Sequence, residues 1–266
     1  MIKKAIIPAA GSATRLNLLG KEFPKELLPL VDRPALDWSI EELISNNIYD
    51  IMIVTSPSKY EILAKKIATY EANVTLAIQA HPVGLADAIA QGEKWVGSES
   101  FVVLLPDDLV LGDPILKRLL VQFEKSDTST IALTTVKDEF LASYGIVDSV
   151  LENKRHIITD IVEKPTRKSK APSNLSITGR YCFTDELWGT LQDLEPGRNG
   201  ELQLSDGLKI LAAAGGLDGL ETKGERHDLG NPKAWLKANI AYAYASYGKD
   251  WLNDQRIIKQ RNSGKV

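Results

Sequence analysis

The chain has 266 residues, of which 44% are hydrophobic and 25% charged, with a formal net charge of −3 and a single cysteine, Cys182. Those values are ordinary for a globular protein with a sizeable core, and they exclude a global positive field for nucleic acid or an anionic membrane and an internal disulfide framework. No apolar run approaches the roughly 18 residues of a membrane span and no leader is visible ahead of the first strand, so a soluble, cytoplasmic protein is expected.

In chain order, Ile2–Pro8 reads as a buried strand, and Leu36–Ile48 as a helix with apolar residues at 36, 40, 43, 44 and 48. Residues 50–55 are apolar on both faces, as in a parallel sheet covered on both sides. Tyr60, Leu63, Ile67 and Tyr70 make a helical stripe, Val74 to Ile78 alternate as a strand, and Gly84 to Val96 read as one helix. Phe101 to Leu105 form another fully apolar strand. Asp113-Pro114 is a cap and first-turn signal for a helix to about Lys125, followed by a strand over Thr130–Val136. This alternation, with connections too long for hairpins, predicts a doubly wound α/β sheet.

After Lys137 the rhythm changes. Gly145–Val150, Ile157–Glu163 and Ser176–Phe183 read as antiparallel strands, with a turn at Glu152-Asn153. Thr184–Leu194 and Ser205–Ala214 read as helices. Asn231-Pro232 opens a long helix to about Tyr247 with Gly248 as its C-cap. The lysine-rich loop Pro165–Asn174 is the best candidate for a lid or surface loop. The expected organisation is a single domain over 1–250, with a nucleotide-binding half (1–136), a sugar-phosphate-binding half (137–230) and a C-terminal helix (231–250). A further helix and frayed tail follow over 251–266.

The chemistry concentrates at the N-terminus. Small residues (Ala9, Ala10, Gly11, Ser12, Ala13) follow the first strand, and the cations Arg15, Lys21 and Lys25 come next. Small residues let backbone N–H groups approach a polyanion, and nearby cations neutralise it, so the stretch reads as a phosphate cradle. It has neither the G-x-G-x-x-G spacing of dinucleotide dehydrogenases nor the G-K-[ST] end of a Walker loop. Asp107 ends an apolar strand, where open α/β sheets place ligand sites.

Read together, the segments are specific. Pro8-Ala-Ala-Gly-x-x-Thr-Arg15, Phe23-Pro-Lys-Glu-Leu-Leu-Pro29, Gln79 with Gly84-Leu-Ala86, Leu104-Leu-Pro-Asp-Asp108, Tyr144-Gly-Ile-Val147, Val162-Glu-Lys-Pro165, Ser173-Asn-Leu175, Gly179-Arg-Tyr181, Gly200-Glu-Leu-Gln-Leu204 and His227-Asp-Leu-Gly230 follow one another in order. This order resembles the sugar-1-phosphate nucleotidylyltransferases, and looks most like the bacterial UTP–glucose-1-phosphate uridylyltransferases, over about residues 3–245. The resemblance implies a Rossmann-like nucleotidyltransferase fold: a mixed, mostly parallel sheet flanked by helices, with an antiparallel sugar-binding extension and C-terminal helices. It also implies transfer of a nucleotidyl group, most simply from UTP, to a sugar 1-phosphate, most simply glucose 1-phosphate, with loss of pyrophosphate and with Mg²⁺ as cofactor.

By position, the resemblance assigns Ala10, Gly11, Ser12 and Ala13 to the triphosphate, Arg15 to the leaving pyrophosphate and Lys25 to charge at the α-phosphate. Gln79 and Gly84 would read the base, with Asp108 also among the nucleotide-binding residues. Asp107 would be catalytic and would share Mg²⁺ with Asp228. Gly145, Glu163, Lys164 and Gly179 would take the sugar phosphate. The partners are thus a nucleoside triphosphate and a sugar 1-phosphate, with no nucleic acid and no membrane; a homo-oligomer, dimer or tetramer, is left open. Two alternatives stay open as well: the same chemistry with dTTP or another triphosphate and a different sugar or polyol phosphate, and a nucleotide-binding regulatory protein without turnover. Against these stand plainer expectations. The Gly200–Leu204 stretch reads as packing and capping, the three histidines have no metal-like spacing, and Cys182 reads as a buried small hydrophobe.

Overall fold

A computed structural model describes residues 1–11, 16, 24–197 and 200–248 of the chain. The apolar runs become strands in the order the sequence suggests: β1 (Lys4–Pro8), β4 (Asp50–Thr55), β5 (Asn73–Ile78) and β6 (Phe101–Leu104), with the short β2 (Pro29–Leu30) and β3 (Arg33–Pro34) forming a separate ribbon. β1 runs parallel to both β4 and β6, and β4 parallel to β5. Strands buried on both faces must send alternate side chains to opposite layers, and they do. Ala5, Ile7, Ile51, Ile53, Val102 and Leu104 pack on one side with α1 (Ala35–Ser45), α2 (Tyr60–Ile67) and α5 (Ile115–Ser126). Ile6, Met52, Val54, Phe101 and Val103 pack on the other with α3 (Leu85–Ala90), α4 (Glu93–Val96), α6 (Glu186–Leu191) and α7 (Leu204–Ala213).

The second half of the sheet is mixed. β11 (Leu175–Phe183) runs antiparallel to β6 on one side and to β8 (Ser129–Thr135) on the other. β12 (Leu217–Glu221) lies parallel to β8 and antiparallel to β10 (Arg155–Glu163), and β10 pairs with β9 (Gly145–Glu152) through the predicted turn. The nine strands form one sheet in the order β5-β4-β1-β6-β11-β8-β12-β10-β9. β7 (Asp108–Leu111) and β13 (Glu225–Asp228) make a separate antiparallel ribbon that sets Asp228 opposite Asp108. α8 (Pro232–Tyr247) packs Ala238 and Tyr242 with Leu30, Leu109 and Leu229. No helix among the described residues is long and apolar enough to cross a membrane.

Several expectations need correcting. The helix expected over 84–96 is two, broken at Gln91-Gly92; Gly92 abuts β1 so closely that a Cβ there would stand 2.3 Å from Ile6 Cδ1. The helix expected over 184–194 is only α6. Asp113 does not cap α5: Oδ2 instead accepts hydrogen bonds from Arg118, Thr222 and the Lys223 amide, because long-range donors reach it first. β2, β3, β7, β12 and β13 have no counterpart among the predicted strands. β12 hides because a central strand carries Asp218 and Gly219 mid-run; a Cβ on Gly219 would stand 2.4 Å from Leu133 Cδ1, so the leucine would have to shift. The loop after Pro165 is exposed and carries a short 3-10 turn, Lys168–Lys170, but Asn174 ties its end to the Val136 carbonyl and Asp138. The helix and tail expected over 251–266 lie outside the described residues.

Candidate active site

The C-terminal ends of β1 and β6 open into a cleft of about 550 Å³. It is lined by Ala10, Gly11, Lys25, Gln79, Gly84, Asp107, Asp108, Gly145, Glu163 and Lys164 of the expected residues. Ser12, Ala13 and Arg15 lie outside the described residues.

Pro24 starts a short 3-10 turn, Lys25–Leu27, that brings Lys25 into the cleft lining. Lys25 Nζ stands 2.5 Å from Asp107 Oδ2, and a Cβ on Gly11 would come within 3.8 Å of the same ammonium. Burial would draw the Lys25 proton off, but the carboxylates of Asp107, Glu26 and Asp228 outweigh it and push its pKa up. The lysine is therefore a fixed positive charge.

Two groups that local pattern does not reveal hold this arrangement. Lys59, at the start of α2, donates to the carbonyls of Ala9 (2.9 Å) and Gly11 (2.6 Å) and pairs with fully buried Glu26 at 3.0 Å. Arg180, inside β11 and 1% exposed, donates to the carbonyls of Leu105 and Asp108 and pairs with Glu42 of α1 at 2.7 Å. A guanidinium in an otherwise uncharged strand is a signal that could have found it, since a buried charge requires partners.

Asp107 is anchored through its carbonyl, which accepts from the Leu229 amide at 2.7 Å, and this brings the start of the 229–231 turn beside it. Asp228 then accepts from the Gly230 amide and from the Tyr144 hydroxyl. Burial, followed by the neighbouring charges of Asp108 and Asp107, raises the Asp228 pKa. Asp108 borders the cleft, but its oxygens are occupied. Arg226 reaches them at 2.7 and 2.6 Å, and the Gly179 amide donates to Oδ2. Gly179 itself is not part of the cleft lining. Its carbonyl accepts from Leu105, and a Cβ there would meet Leu105 Cβ at 2.7 Å, so it serves close packing under the floor. Arg226 also lies 3.9 Å from the Tyr144 ring centroid, a stack that no local pattern announces.

Gly145 faces Glu163 across β9 and β10, and a Cβ on Gly145 would stand 3.1 Å from Glu163 Oε2. Lys164 turns back with a φ of +43° and pairs with Glu163 at 2.9 Å. On the other wall, Gln79 continues β5 and Gly84 holds a φ of +123° against the backbone of Leu202. The Gly200–Leu204 stretch is a packing feature in that sense: the Leu202 amide donates to Val83, and its carbonyl accepts from Ala86. The cleft thus brings together a cation beside a carboxylate, the Gln79 amide and a Glu-Lys pair; Asp228, like Gly179, is not among its lining residues.

The sequence pattern of the nucleotidyl transferase family matches residues 4–244. The chain belongs to this family. As a nucleotidyl transferase, it is 36% identical over 267 residues to the UTP–glucose-1-phosphate uridylyltransferase of Bacillus subtilis (strain 168), covering 91% of each chain. Its fold is similar to a UDP-glucose pyrophosphorylase complexed with UDP-glucose, at a TM-score of 0.86 and 33% identity, covering 92% of this chain and 100% of that one. It is also similar to the UTP-bound UGPase of Acinetobacter baumannii, at a TM-score of 0.83 and 29% identity, covering 97% and 99%.

Proposed function

We propose that this nucleotidyl transferase joins UTP and glucose 1-phosphate into UDP-glucose and pyrophosphate. The observation that carries the reading is the Lys25–Asp107 pair at 2.5 Å in a cleft that Glu163, Lys164, Gln79 and Gly84 also line. The names and bound nucleotides of the relatives support UTP as donor.

In this reading residues 1–136 hold the triphosphate and 137–230 the sugar phosphate, within a single domain over 1–250. A phosphate oxygen of the sugar phosphate attacks the α-phosphorus; the bond from the α-phosphorus to the bridging oxygen breaks, and pyrophosphate leaves. Such a displacement needs positioning and charge neutralisation more than covalent help. Lys25 supplies positive charge where the α-phosphate becomes more anionic, and Gly11 lets the backbone come close. Glu163 accepts hydrogen bonds from sugar hydroxyls beside Gly145, and Lys164 neutralises the sugar phosphate. Arg15, Ser12 and Ala13 are assigned to the triphosphate side.

Asp107 and Asp228 lie close enough that the Asp107 charge, after burial and Asp108, helps raise the Asp228 pKa, and hard carboxylate oxygens of this kind suit Mg²⁺. Among the described residues no three His, Cys, Asp or Glu side chains gather as a metal site, so phosphate oxygens would complete the coordination of an ion held by Asp107 and Asp228. Bound there, Mg²⁺ supplies charge neutralisation of the phosphates.

The test is to incubate the protein with Mg²⁺, UTP and glucose 1-phosphate and to measure pyrophosphate and product mass. UDP-glucose is the expected product. No pyrophosphate from any member of a panel of triphosphates and sugar phosphates overturns the reading.

A further inference from the structure

Gln79 follows β5 with its carboxamide against α3. Its Nε2 lies 3.0 Å from the carbonyl oxygen of Gly84 and 2.8 Å from Oδ2 of Asp87. Both neighbours can only accept: a carbonyl has no hydrogen to give, and neither has an ionised carboxylate. The end of the amide that meets them is therefore the NH₂ end, and both of its hydrogens go to the protein. The group this side chain can turn to a ligand in the cleft is its carbonyl oxygen. Gln79 is 4% exposed, so the reversed amide would set oxygen against two oxygens with little water to relieve it.

Asp87 is built to hold this orientation. It sits in the first turn of α3, where a carboxylate is favoured by unpaired backbone amides, and its other oxygen lies 3.4 Å from Gln91 Nε2 one turn further on. A free glutamine offers a base both a donor and an acceptor. Asp87 removes the donor.

We propose that Asp87 is a specificity-determining positioning residue: by fixing Gln79 as an acceptor, it selects a pyrimidine that presents a ring N3–H to the Gln79 oxygen, rather than one whose only N–H donors are on an exocyclic amine. Uracil and thymine carry that N–H at N3, whereas cytosine has an acceptor there. UTP and dTTP meet the requirement equally, and CTP does not. The inference rests on Gln79 reading the base, as the functional reading above assigns it.

The experiment is calorimetric titration of UTP and of CTP, with Mg²⁺, into the full-length protein and the variants Asp87→Asn, Asp87→Ala and Gln79→Ala. The unaltered protein is expected to bind UTP at least about tenfold more tightly than CTP, the scale of one discriminating hydrogen-bond contact. Both Asp87 variants release the Gln79 amide to turn and are expected to bring that ratio within about threefold. A general loosening of the fold would weaken both triphosphates and leave the ratio in place. If both Asp87 variants keep the ratio while Gln79→Ala removes it, the role of Asp87 is overturned and Gln79 remains the base reader. If Gln79→Ala also keeps the ratio, or the unaltered protein fails to prefer UTP, the base-reading assignment falls and the inference with it.

Discussion

Lys25 and Asp107 are each about one-fifth exposed, 20% and 17%, so their mutual attraction is only partly screened. That makes the pair a strong local field where a phosphate would sit. Replacing Lys25 by Ala, or Asp107 by Asn, is expected to lower kcat by about 10²–10³, the scale for removing one preorganised electrostatic group. Pyrophosphate release measures it, and near-normal turnover in either variant removes that residue from the mechanism. Neighbouring Glu26 behaves differently. Burial raises its pKa above the ordinary 4.5, and the Lys59 ammonium offsets only part of the shift. The folded chain therefore holds the Glu26 proton more tightly than the unfolded chain. Between the ordinary value and the raised one, the Glu26 contribution to stability falls as pH rises, then levels off above the raised value. Urea midpoints followed across that window should show a decline that is shallower in Glu26→Gln; parallel curves for the two proteins would contradict it. Lys25, Asp107 and Glu163 stand out in the sequence because they sit in recognisable motifs. Lys59 does not, because its partners Ala9, Gly11 and Glu26 are distant along the chain and only the folded backbone gathers them.

At the scale of elements, local chemistry is most reliable where a signal is closed within one turn. Asn231 accepts from the Ala234 amide and Pro232 follows it, so the start of α8 is set by residues three apart. Asn231→Ala is expected to cost about 0.5–2 kcal/mol, the usual worth of such a cap, read from the urea midpoint. Asp113-Pro114 is a similar cap-plus-proline signal with a different outcome, because Thr222 and Lys223 compete for the carboxylate from over a hundred residues away. Gly84 is decided by its surroundings too. Its φ of +123° and the Leu202 carbonyl oxygen, 2.3 Å from a built Cβ, leave no room for a side chain. Gly84→Ala is expected to destabilise the fold by about 1–3 kcal/mol through backbone strain and to weaken UTP binding, since Gly84 also accepts from Gln79. An unchanged melting temperature and affinity would show that the wall can yield.

Across the whole molecule, Arg180 joins α1, the centre of the nine-stranded sheet and the turn carrying Asp107. Its charge is almost wholly buried, and Glu42 with the carbonyls of Leu105 and Asp108 satisfies it. Arg180→Met removes one partner of a largely buried pair and is expected to cost about 3–5 kcal/mol, measured by denaturant unfolding. A loss under about 1 kcal/mol would mean that Glu42 finds water instead.

The layered α/β plan was readable from residues alone. Strands such as Ile51–Val54 and Phe101–Leu104 are apolar on both faces, and only a sheet covered on both sides buries them. The motif order was readable too, and with it the family. The insertion of β12 between β8 and β10, the β7–β13 ribbon, the occupation of Asp108 by Arg226 and the orientation of the Gln79 amide were not. Periodicity reports which way a side chain faces along its own element. It is silent on which of many distant donors and acceptors a buried polar group will meet, and Asp108 meets its guanidinium 118 residues away. That choice belongs to the packed chain, where most buried polar atoms find a partner.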